Sequence, residues 1–295
     1  MNDEFLYLFI SFDLVNSTEY KSKYPNEWPE IFSKFYSIME QECKDKFDNA
    51  DVNIWKYVGD EILFYIFIND KEVLYNSLSY IDEILSISIK KINESNKNTD
   101  TNQYNEFNKN IKLNTNEVEL SIKSTVWIAN LVDNSNDTKD CKNIIIYPKD
   151  TTSKDFLGNY IDTGFRISKF VTAGHIVVSA ELAYLLINMQ KPYNSNLIIS
   201  NLKIVGYEFL KGIWNGKAYP IIWYCNDWKN IRFNYDEHIN SKIIENIKYG
   251  KIDDILEIES IPTQVKKNDE FNKLLILLDK IADEKPLEKT IHPLV

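Results

Sequence analysis

Hydrophobic residues follow two different spacings along the chain, and these spacings predict its strands and helices. Residues 5–13 (FLYLFISFD) are aromatic and β-branched, which is typical of a buried strand, here ending at Asp13. Residues 53–58 and 61–68 predict two more strands, which a short turn at Val58-Gly59-Asp60 joins into a β-hairpin. This hairpin interrupts a long apolar run with a glycine and two acidic residues.

Helical spacing, in which apolar residues recur three and four positions apart, is the second pattern. The predicted helices are residues 27–48, 71–92, 158–171 and 180–190. Asn16-Ser17-Thr18 predicts a turn or a helix cap. The remaining predicted strands are residues 117–128, the short HIVVS segment 175–179, and residues 203–210 and 218–224.

Two polar stretches and a change in composition organise the rest of the chain. Residues 93–115 are rich in Asn, Thr and Lys and predict an exposed loop or insertion, and a second polar loop follows at 132–143. From about residue 235 the sequence becomes charged and helical. We therefore assign residues 1–230 to one domain and residues 231–295 to a C-terminal helical extension.

The order of the predicted elements indicates the fold class. A strand, a helix, a hairpin, a helix and a strand are followed by a helix, a short strand, a helix and two strands. This order favours an α+β fold with helices on one face of a mostly antiparallel sheet. The βαββαβ start has the ferredoxin-like pattern, in which the first strand and the hairpin are neighbours.

Composition limits the classes of function. The chain has 295 residues, of which 44% are hydrophobic, enough for one large core. It contains no run of about 18 uncharged apolar residues and no basic lead-in to an apolar signal region, so we expect a cytoplasmic protein that does not bind membranes. The net charge of −10 disfavours a nucleic-acid surface, although a local cationic pocket would still accept a small anion.

Cysteine and histidine residues form no metal-binding pattern in the sequence. The three cysteines lie far apart and include no CxxC pair, so they predict neither a zinc site nor a disulfide framework. The three histidines are also scattered, which makes a histidine-based metal site improbable. These residues are Cys43, Cys141, Cys225, His175, His238 and His292.

Asp13 and Asp60 are the first candidates for chemistry. One ends the first strand and the other lies in the hairpin turn, so a ferredoxin-like sheet would bring both to one edge. Two carboxylates together with the Leu14 carbonyl suit Mg²⁺ or Mn²⁺, which prefer oxygen ligands. Two such ions can stabilise the attacking and leaving oxygens of a phosphoryl displacement. The alternative is that Asp13 caps a strand and Gly59-Asp60 forms an ordinary turn.

Asp162 and Arg166 form a second candidate pair. They are four residues apart on a predicted helix and therefore share one face. An isolated pair of this kind is usually a solvated ion pair. Here it follows Asp155 and Gly158 in the stretch KDFLGNYIDTGFR, residues 154–166.

Taken together, these stretches resemble the catalytic domain of class III nucleotidyl cyclases over roughly residues 5–225. Phe12-Asp13, with Thr18 five residues later, resembles the family's first metal aspartate, although the usual one-residue gap after the phenylalanine is missing. Gly59-Asp60 resembles the second metal aspartate in its hairpin. The run from Asp155 through Arg166 loosely matches a later family motif, and Leu210-Lys211-Gly212 matches a motif of bacterial members.

This resemblance implies a role for each matching residue. Two divalent cations, Mn²⁺ or Mg²⁺, would bind Asp13, Asp60 and the Leu14 carbonyl. Lys56 and Asp155 would contact the base of a nucleoside triphosphate, Arg166 would stabilise charge on the α-phosphate, and Lys211 would contact the triphosphate. Asp162 stands where the family has a ribose-facing asparagine, and a carboxylate there would repel the phosphate unless it is paired or protonated.

The family's active site forms between two subunits. The resemblance therefore implies a head-to-tail homodimer with two composite sites. Asp13 and Asp60 would come from one subunit. The other would supply the remaining residues: Lys56, Asp155, Asp162, Arg166 and Lys211.

The polarity of Lys56 and Asp155 leaves the base open, because adenine, cytosine and uracil each offer a donor and an acceptor. Bulk from Trp55, Tyr57 and Phe156 would shorten the pocket toward a pyrimidine, unless these rings simply pack the core. The hairpin WKYVGDEILF and the opening SFDLVNSTEYK resemble bacterial pyrimidine cyclases of the Pycsar anti-phage systems. That resemblance implies UTP, or secondarily CTP, as substrate and a separate effector that responds to the cyclic nucleotide.

Two other interpretations compete with this one. A diguanylate cyclase shares the ferredoxin-like core and a similar hairpin, but only one glycine is present and the stretch from Asp155 to Arg166 has no place there. A cyclase fold without activity would act as a nucleotide-binding or scaffold module. Retention of Asp13, Asp60 and Arg166 argues against that module. Metal-dependent turnover would distinguish an active cyclase from the inactive module.

Overall fold

The computed structural model describes residues 3–99, 118–133, 144–146, 154–189, 200–228 and 269–281. The helices are α1 (Ser17–Lys23), α2 (Trp28–Lys46), α3 (Lys71–Thr99), α4 (Asn159–Ile167), α5 (Ala180–Asn188) and α6 (Asp269–Lys280). The strands are β1 (Asp3–Val15), β2 (Val52–Val58), β3 (Glu61–Phe67), β4 (Ser121–Asp133), β5 (Ile144–Ile146), β6 (Lys154–Phe156), β7 (Ile176–Val178), β8 (Leu202–Phe209) and β9 (Ala218–Tyr224).

Seven strands form one sheet in the order β2-β3-β1-β4-β7-β9-β8. All neighbours are antiparallel except β4 and β7, which run parallel. The first four strands have the ferredoxin-like order, with β1 between the hairpin and β4. The predicted α+β fold is therefore confirmed.

The two faces of the sheet are covered differently. Alternate residues of β1 such as Leu8 and Ile10 enter the main core with α2, α3 and α5. Their neighbours Tyr7 and Phe9 lie on the other face, in a cluster of aromatic residues that also contains Ile161 of α4. The prediction of helices on one face alone is thus wrong for α4. Gly164 permits this packing, because it brings the α4 backbone directly against a buried tryptophan ring.

The long helix α3 continues past its predicted end. It extends to Thr99, so the loop predicted from residue 93 is wrong for its first residues. Ile92 is buried there, and the Asn93 amide donates to the carbonyls of Ile89 at 3.0 Å and Leu120 at 2.9 Å. These contacts attach the polar end of the helix to the segment before β4.

Several predicted segments lie partly or wholly outside the described residues. β4 continues to Asp133, two residues into the predicted loop 132–143, and residues 134–143 are not described. The same holds for residues 100–117 and 229–268, which include the first helical stretch of the C-terminal extension. Among the described residues, none of the helices combines the length and the apolar character that crossing a membrane requires.

Helix α6 of the C-terminal extension packs against β1 and α5. Four of its side chains are buried within the main core: Phe271, Leu274, Leu277 and Leu278. The division of the chain at residue 230 stays a prediction, but this helix shares the core of the preceding residues.

His175 is a buried structural residue that should make stability depend on pH. Its ring stacks on Trp223 at 5.1 Å, Nδ1 lies 2.7 Å from the Thr172 hydroxyl, and burial lowers its pKa from 6.5 to about 4. Between these pH values the unfolded chain takes up a proton that the folded chain does not, so the free energy of unfolding should fall by about 3 kcal/mol from pH 6.5 to pH 4. Urea titrations at several pH values measure this slope. His175→Asn should flatten it, and an equal slope in the variant would contradict the assignment.

Candidate active site

A row of polar residues crosses the sheet at the end of β1. Asp13 lies directly opposite Glu61 of β3 on one side and Lys123 of β4 on the other. Because side chains alternate along a strand, this row lies on the same face as the aromatic cluster. The Lys123 Nζ is 3.5 Å from an Asp13 carboxylate oxygen, and the Ser11 hydroxyl donates to Glu61.

Asp60 is fixed next to this row by the geometry of the hairpin turn. Gly59 has φ of 65°, a left-handed conformation that glycine adopts without strain. The Leu14 N–H donates to the Asp60 carbonyl at 3.0 Å, which attaches the turn to the end of β1. The Ser17 hydroxyl, at the start of α1, donates to the Asp60 carboxylate. The structure therefore brings Asp13, Leu14 and Asp60 together.

Negative charge accumulates in this part of the sheet. Burial raises the pKa of Asp13 above its ordinary value of 3.8; the Lys123 charge opposes this shift, and the Asp60 charge adds to it. Burial also raises the pKa of Glu61, and the charge of Asp13 contributes to that shift. Lys123 supplies a compensating positive charge.

The donor set of this row fits a divalent cation. Asp13 and Asp60 offer carboxylate oxygens, and a cation between them would offset both the burial that chiefly raises the pKa of Asp13 and the smaller contribution of the Asp60 charge. Over the described ranges, no cluster of three His, Cys, Asp or Glu side chains forms a ready-made cage. Mg²⁺ is commonly bound by one or two carboxylates, with water and substrate phosphates completing its shell.

Lys56 and Asp155 meet on the same face of the sheet. Their Nζ and Oδ1 atoms are 2.8 Å apart, and Trp55 Nε1 and the Phe156 N–H each donate to the same oxygen at 3.0 Å. A β-bulge explains the geometry: Ile54 pairs with Phe64 but Lys56 pairs with Leu63, which makes Trp55 an extra residue. Trp55 and Lys56 consequently point to the same side.

Asp155 is a stable hydrogen-bond acceptor. Burial would raise its pKa, but the hydrogen bonds from Lys56 and the Phe156 N–H outweigh that effect, and the pKa lies below the ordinary value. The carboxylate is therefore ionised at neutral pH and can only accept. The aromatic residues predicted around it pack as a cluster, with the Trp55 and Phe156 rings 5.3 Å apart.

Tyr57 lies apart from the Lys56–Asp155 pair. It pairs with Ile62 after the bulge and so points toward α2 on the other face. Its hydroxyl donates to Glu40 at 2.5 Å, and its ring lies 4.8 Å from Tyr36. Its predicted role next to the base has no support from this position.

Helix α4 carries Asp162 and Arg166 on adjacent turns, as expected. Asp162 is exposed, and Arg166 is half-buried. The Arg166 Nε is a buried donor with no hydrogen-bond partner among the described residues. A buried unsatisfied donor is costly, so this N–H is a candidate to donate a hydrogen bond to a ligand oxygen.

Lys211 is exposed on a turn between β8 and β9. Gly212 follows it with φ of 79°, which explains the glycine of the Leu-Lys-Gly motif. No described contact joins Lys211 to Asp13, Lys56 or Arg166. One chain thus brings the residues together as two pairs, Asp13 with Asp60 and Lys56 with Asp155.

Sequence reasoning missed two members of the polar row. Glu61 follows Asp60 directly, and Lys123 lies within the predicted strand 117–128, where no local pattern distinguishes it as a site residue. Only the register of β3 and β4 against β1 shows that both flank Asp13. Alternation within the single strand β4 could have placed Lys123 on one face, but not opposite Asp13.

The fold can now be compared with solved structures. The adenylyl cyclase CyaB from P. aeruginosa matches with a TM-score of 0.53 and 12% sequence identity, over 79% of this chain and all (100%) of that one. The guanylate cyclase domain of RhGC from Catenaria anguillulae, in complex with GTP, matches with a TM-score of 0.50 and 14% identity, over 76% of this chain and 98% of that one. This chain has the fold of cyclase catalytic domains. No family model matches the sequence, and no curated protein matches it either.

A cyclase-like fold narrows the interpretation of the site without fixing its reaction. At 12% and 14% identity the likeness concerns the backbone. The chemistry must come from the side chains, namely the Asp13–Asp60 pair, the Lys56–Asp155 pair and the unsatisfied Arg166.

Proposed function

We propose that the protein is a metal-dependent nucleotide cyclase, which converts a nucleoside triphosphate to its 3′,5′-cyclic monophosphate and pyrophosphate. The observation that carries the proposal is the hydrogen bond from the Leu14 N–H to the Asp60 carbonyl. It attaches the hairpin turn to the end of β1 and so holds Asp60 beside Asp13 in a cyclase-like sheet. The Lys56–Asp155 pair on the same sheet face supports it, because a base needs one donor and one acceptor.

In this reaction the ribose 3′-oxygen attacks the α-phosphorus, the bond from that phosphorus to the bridging oxygen of pyrophosphate breaks, and the 3′-hydroxyl proton is lost to solvent. Two divalent cations bound by Asp13, Asp60 and the Leu14 carbonyl would favour ionisation of the hydroxyl and neutralise the triphosphate. Arg166 would donate to the α-phosphate as its charge develops, and Lys211 would bind the triphosphate. Asp162, which is exposed, would face the ribose hydroxyls.

We assign the active sites to a homodimer. Asp13 and Asp60 would act from one subunit, and Lys56, Asp155, Asp162, Arg166 and Lys211 from the other. This assignment rests on the resemblance of the motifs.

Among substrates we favour UTP over CTP, and either over ATP. The Trp55 and Phe156 rings pack within the buried aromatic cluster and give this preference no support of their own. The cyclic pyrimidine nucleotide would serve in the cytoplasm as a second messenger to a separate effector in anti-phage defence. This part of the proposal rests on the resemblance of the motifs.

Turnover of individual nucleotides tests the proposal. Purified protein is incubated with Mn²⁺ and each of ATP, GTP, CTP and UTP, and the products are identified by mass spectrometry. Cyclic UMP is the expected product. Cyclic AMP alone would keep the mechanism and overturn the substrate and the biology. No product from any of the four, from a folded dimer that binds Mn²⁺, would support the binding-module alternative.

Complementation tests the shared site. Asp60→Asn and Arg166→Ala disable different halves, so a mixture of the two should regain activity by forming one intact site per heterodimer. Mixed dimers that are shown to form but remain inactive would contradict a site built from two subunits.

Asp155→Asn should lower kcat/KM for the preferred nucleotide at least about tenfold. The ratio of kcat/KM for this nucleotide to kcat/KM for each of the other three should also fall. The reason is that the amide can donate as well as accept, whereas the ionised carboxylate only accepts. Steady-state kinetics with all four nucleotides provide the measurement. Lys154→Met is the control, because adjacent side chains of β6 point to opposite sides. An unchanged preference in the Asp155 variant would remove this residue from base recognition.

A further inference from the structure

The turn that carries Lys211, residues 210–217, has an unusual backbone. Two of its non-glycine residues, Trp214 and Asn215, have positive φ angles of 47° and 52°. Such conformations cost roughly 1–2 kcal/mol for each L-residue. Surrounding contacts must therefore stabilise the Lys211 turn in this shape.

Trp214 supplies the inner contact. Its Nε1 donates to Glu181 at 3.2 Å, and its ring lies 4.7 Å from Tyr219. The Tyr219 hydroxyl donates to the other oxygen of Glu181 at 2.6 Å and accepts from the Ala180 N–H at 2.8 Å. Glu181 and Tyr219 are both buried, so this network anchors Trp214 to the start of α5.

Trp214 also touches the C-terminal helix. Its ring meets that of Phe271 in α6 edge to face, with the centroids 5.8 Å apart. Phe271 is only 1% exposed and packs in addition on Tyr184 of α5, at 5.1 Å. A helix of the C-terminal extension thus lies directly against the residue that stabilises the Lys211 turn.

The turn also borders a cavity of about 130 Å³. Asn159 and Thr163 of α4 line it, together with Glu181 of α5 and with Gly212, Trp214 and Asn215 of the turn itself. The turn therefore has room to move toward α4, and its contacts to α5 and α6 are those that Trp214 makes with Glu181 and Phe271. The position of Lys211 depends on those packed contacts.

We propose that α6 is a brace for the Lys211 turn, with Phe271, Trp214 and Glu181 as positioning residues for triphosphate binding. The brace links helix α6 of the C-terminal extension to the Lys211 turn through Trp214. The role of Lys211 rests on the proposed function, but the mechanical connection from Phe271 to the turn does not.

Hydrogen exchange in the full-length chain tests the brace directly. Three amides in the turn are hydrogen-bonded within it: Ile213 to Leu210 at 3.0 Å, Gly216 to Ile213 at 3.2 Å and Lys217 to Trp214 at 3.1 Å. Phe271→Ala should accelerate their exchange at least tenfold. Ile276→Ala is the matched control, because Ile276 is an exposed residue of the same helix. Unchanged protection of the turn in Phe271→Ala would overturn the proposal.

Kinetics supply the second readout. A misplaced Lys211 weakens binding of the triphosphate in ground and transition states alike, so Phe271→Ala should raise KM at least fivefold and change kcat less than threefold. A fivefold loss of kcat at unchanged KM would instead contradict the role of Phe271 in positioning Lys211. If Phe271→Ala does not fold, Phe271→Leu, which keeps an apolar side chain in place, is compared in both assays. If the wild type turns over no nucleotide, the proposed function fails, and the exchange experiment alone still decides the brace.

Discussion

Asp60→Asn should reduce nucleotide turnover about a thousandfold, the effect expected when roughly 4 kcal/mol of metal-dependent transition-state stabilisation is lost. The amide has the shape of the carboxylate and can still accept the hydrogen bond from Ser17, so the hairpin turn should keep its geometry. The Asp60 carbonyl, which accepts from Leu14, is untouched. Product formation by mass spectrometry and Mn²⁺ binding by calorimetry should fall together, while the thermal unfolding midpoint stays close to that of the wild type.

Asp51→Asn is the control for this experiment. It makes the same chemical change just before β2, at the end of the hairpin away from the turn. Turnover there should equal that of the wild type. Activity within a few-fold of wild type in Asp60→Asn would remove Asp60 from the metal site, and with it the strongest support for a cyclase.

Gly164→Ala is the second change with a large expected effect, and it acts through packing. A Cβ at this position would lie 2.3 Å from the Trp127 ring. That ring is buried and stacks on Phe9 at 5.3 Å, so it cannot withdraw. Helix α4 must shift instead, at a cost of about 1–3 kcal/mol in the free energy of unfolding. Because Arg166 lies two residues further along α4, turnover should also fall, on the order of a hundredfold for a displacement of about 1 Å.

A double-mutant cycle checks the cause of this effect. Trp127→Phe replaces the indole with a smaller ring, so Gly164→Ala should be less destabilising in that background than in the wild type. Urea unfolding of the four proteins gives the coupling free energy. If Gly164→Ala costs the same in both backgrounds, the clash with Trp127 is not the reason for the glycine.

Local patterns predicted much of the fold. The alternation in β1, the glycine of the hairpin and the helical spacing of α2 all depend on interactions between residues close in sequence, so the sequence reveals them. The convergence of Asp13 and Asp60 followed from the same logic, because a ferredoxin-like order makes β1 and the hairpin neighbours. α3 was predicted too short, because Asn93 is satisfied by the distant Leu120 carbonyl.

The parts of the site that escaped prediction depend on long-range register. Glu61 and Lys123 flank Asp13 only because of how β3 and β4 align against β1. The position of α4 on the second face of the sheet follows from its contact with Trp127, thirty-seven positions before Gly164 in the sequence. Pairwise packing of this kind leaves no periodic signal in either segment.

Because of the bulge at Trp55, the side chains that strand β2 places beside Asp155 depend on the number of residues in the strand and not only on their identity. After the extra residue, Lys56 points toward Asp155 and Tyr57 points toward α2. Deleting one residue at the bulge, with the hairpin turn unchanged, would restore strict alternation, keep the residue before Tyr57 opposite Leu63, and leave one side chain of β2 beside Asp155 where there are now two. Asp155 would then lose one of its two side-chain donors, Trp55 Nε1 or Lys56 Nζ, while the rest of the strand keeps its register. Insertions and deletions in β2 are a route to altered recognition that a scan of single substitutions would never sample.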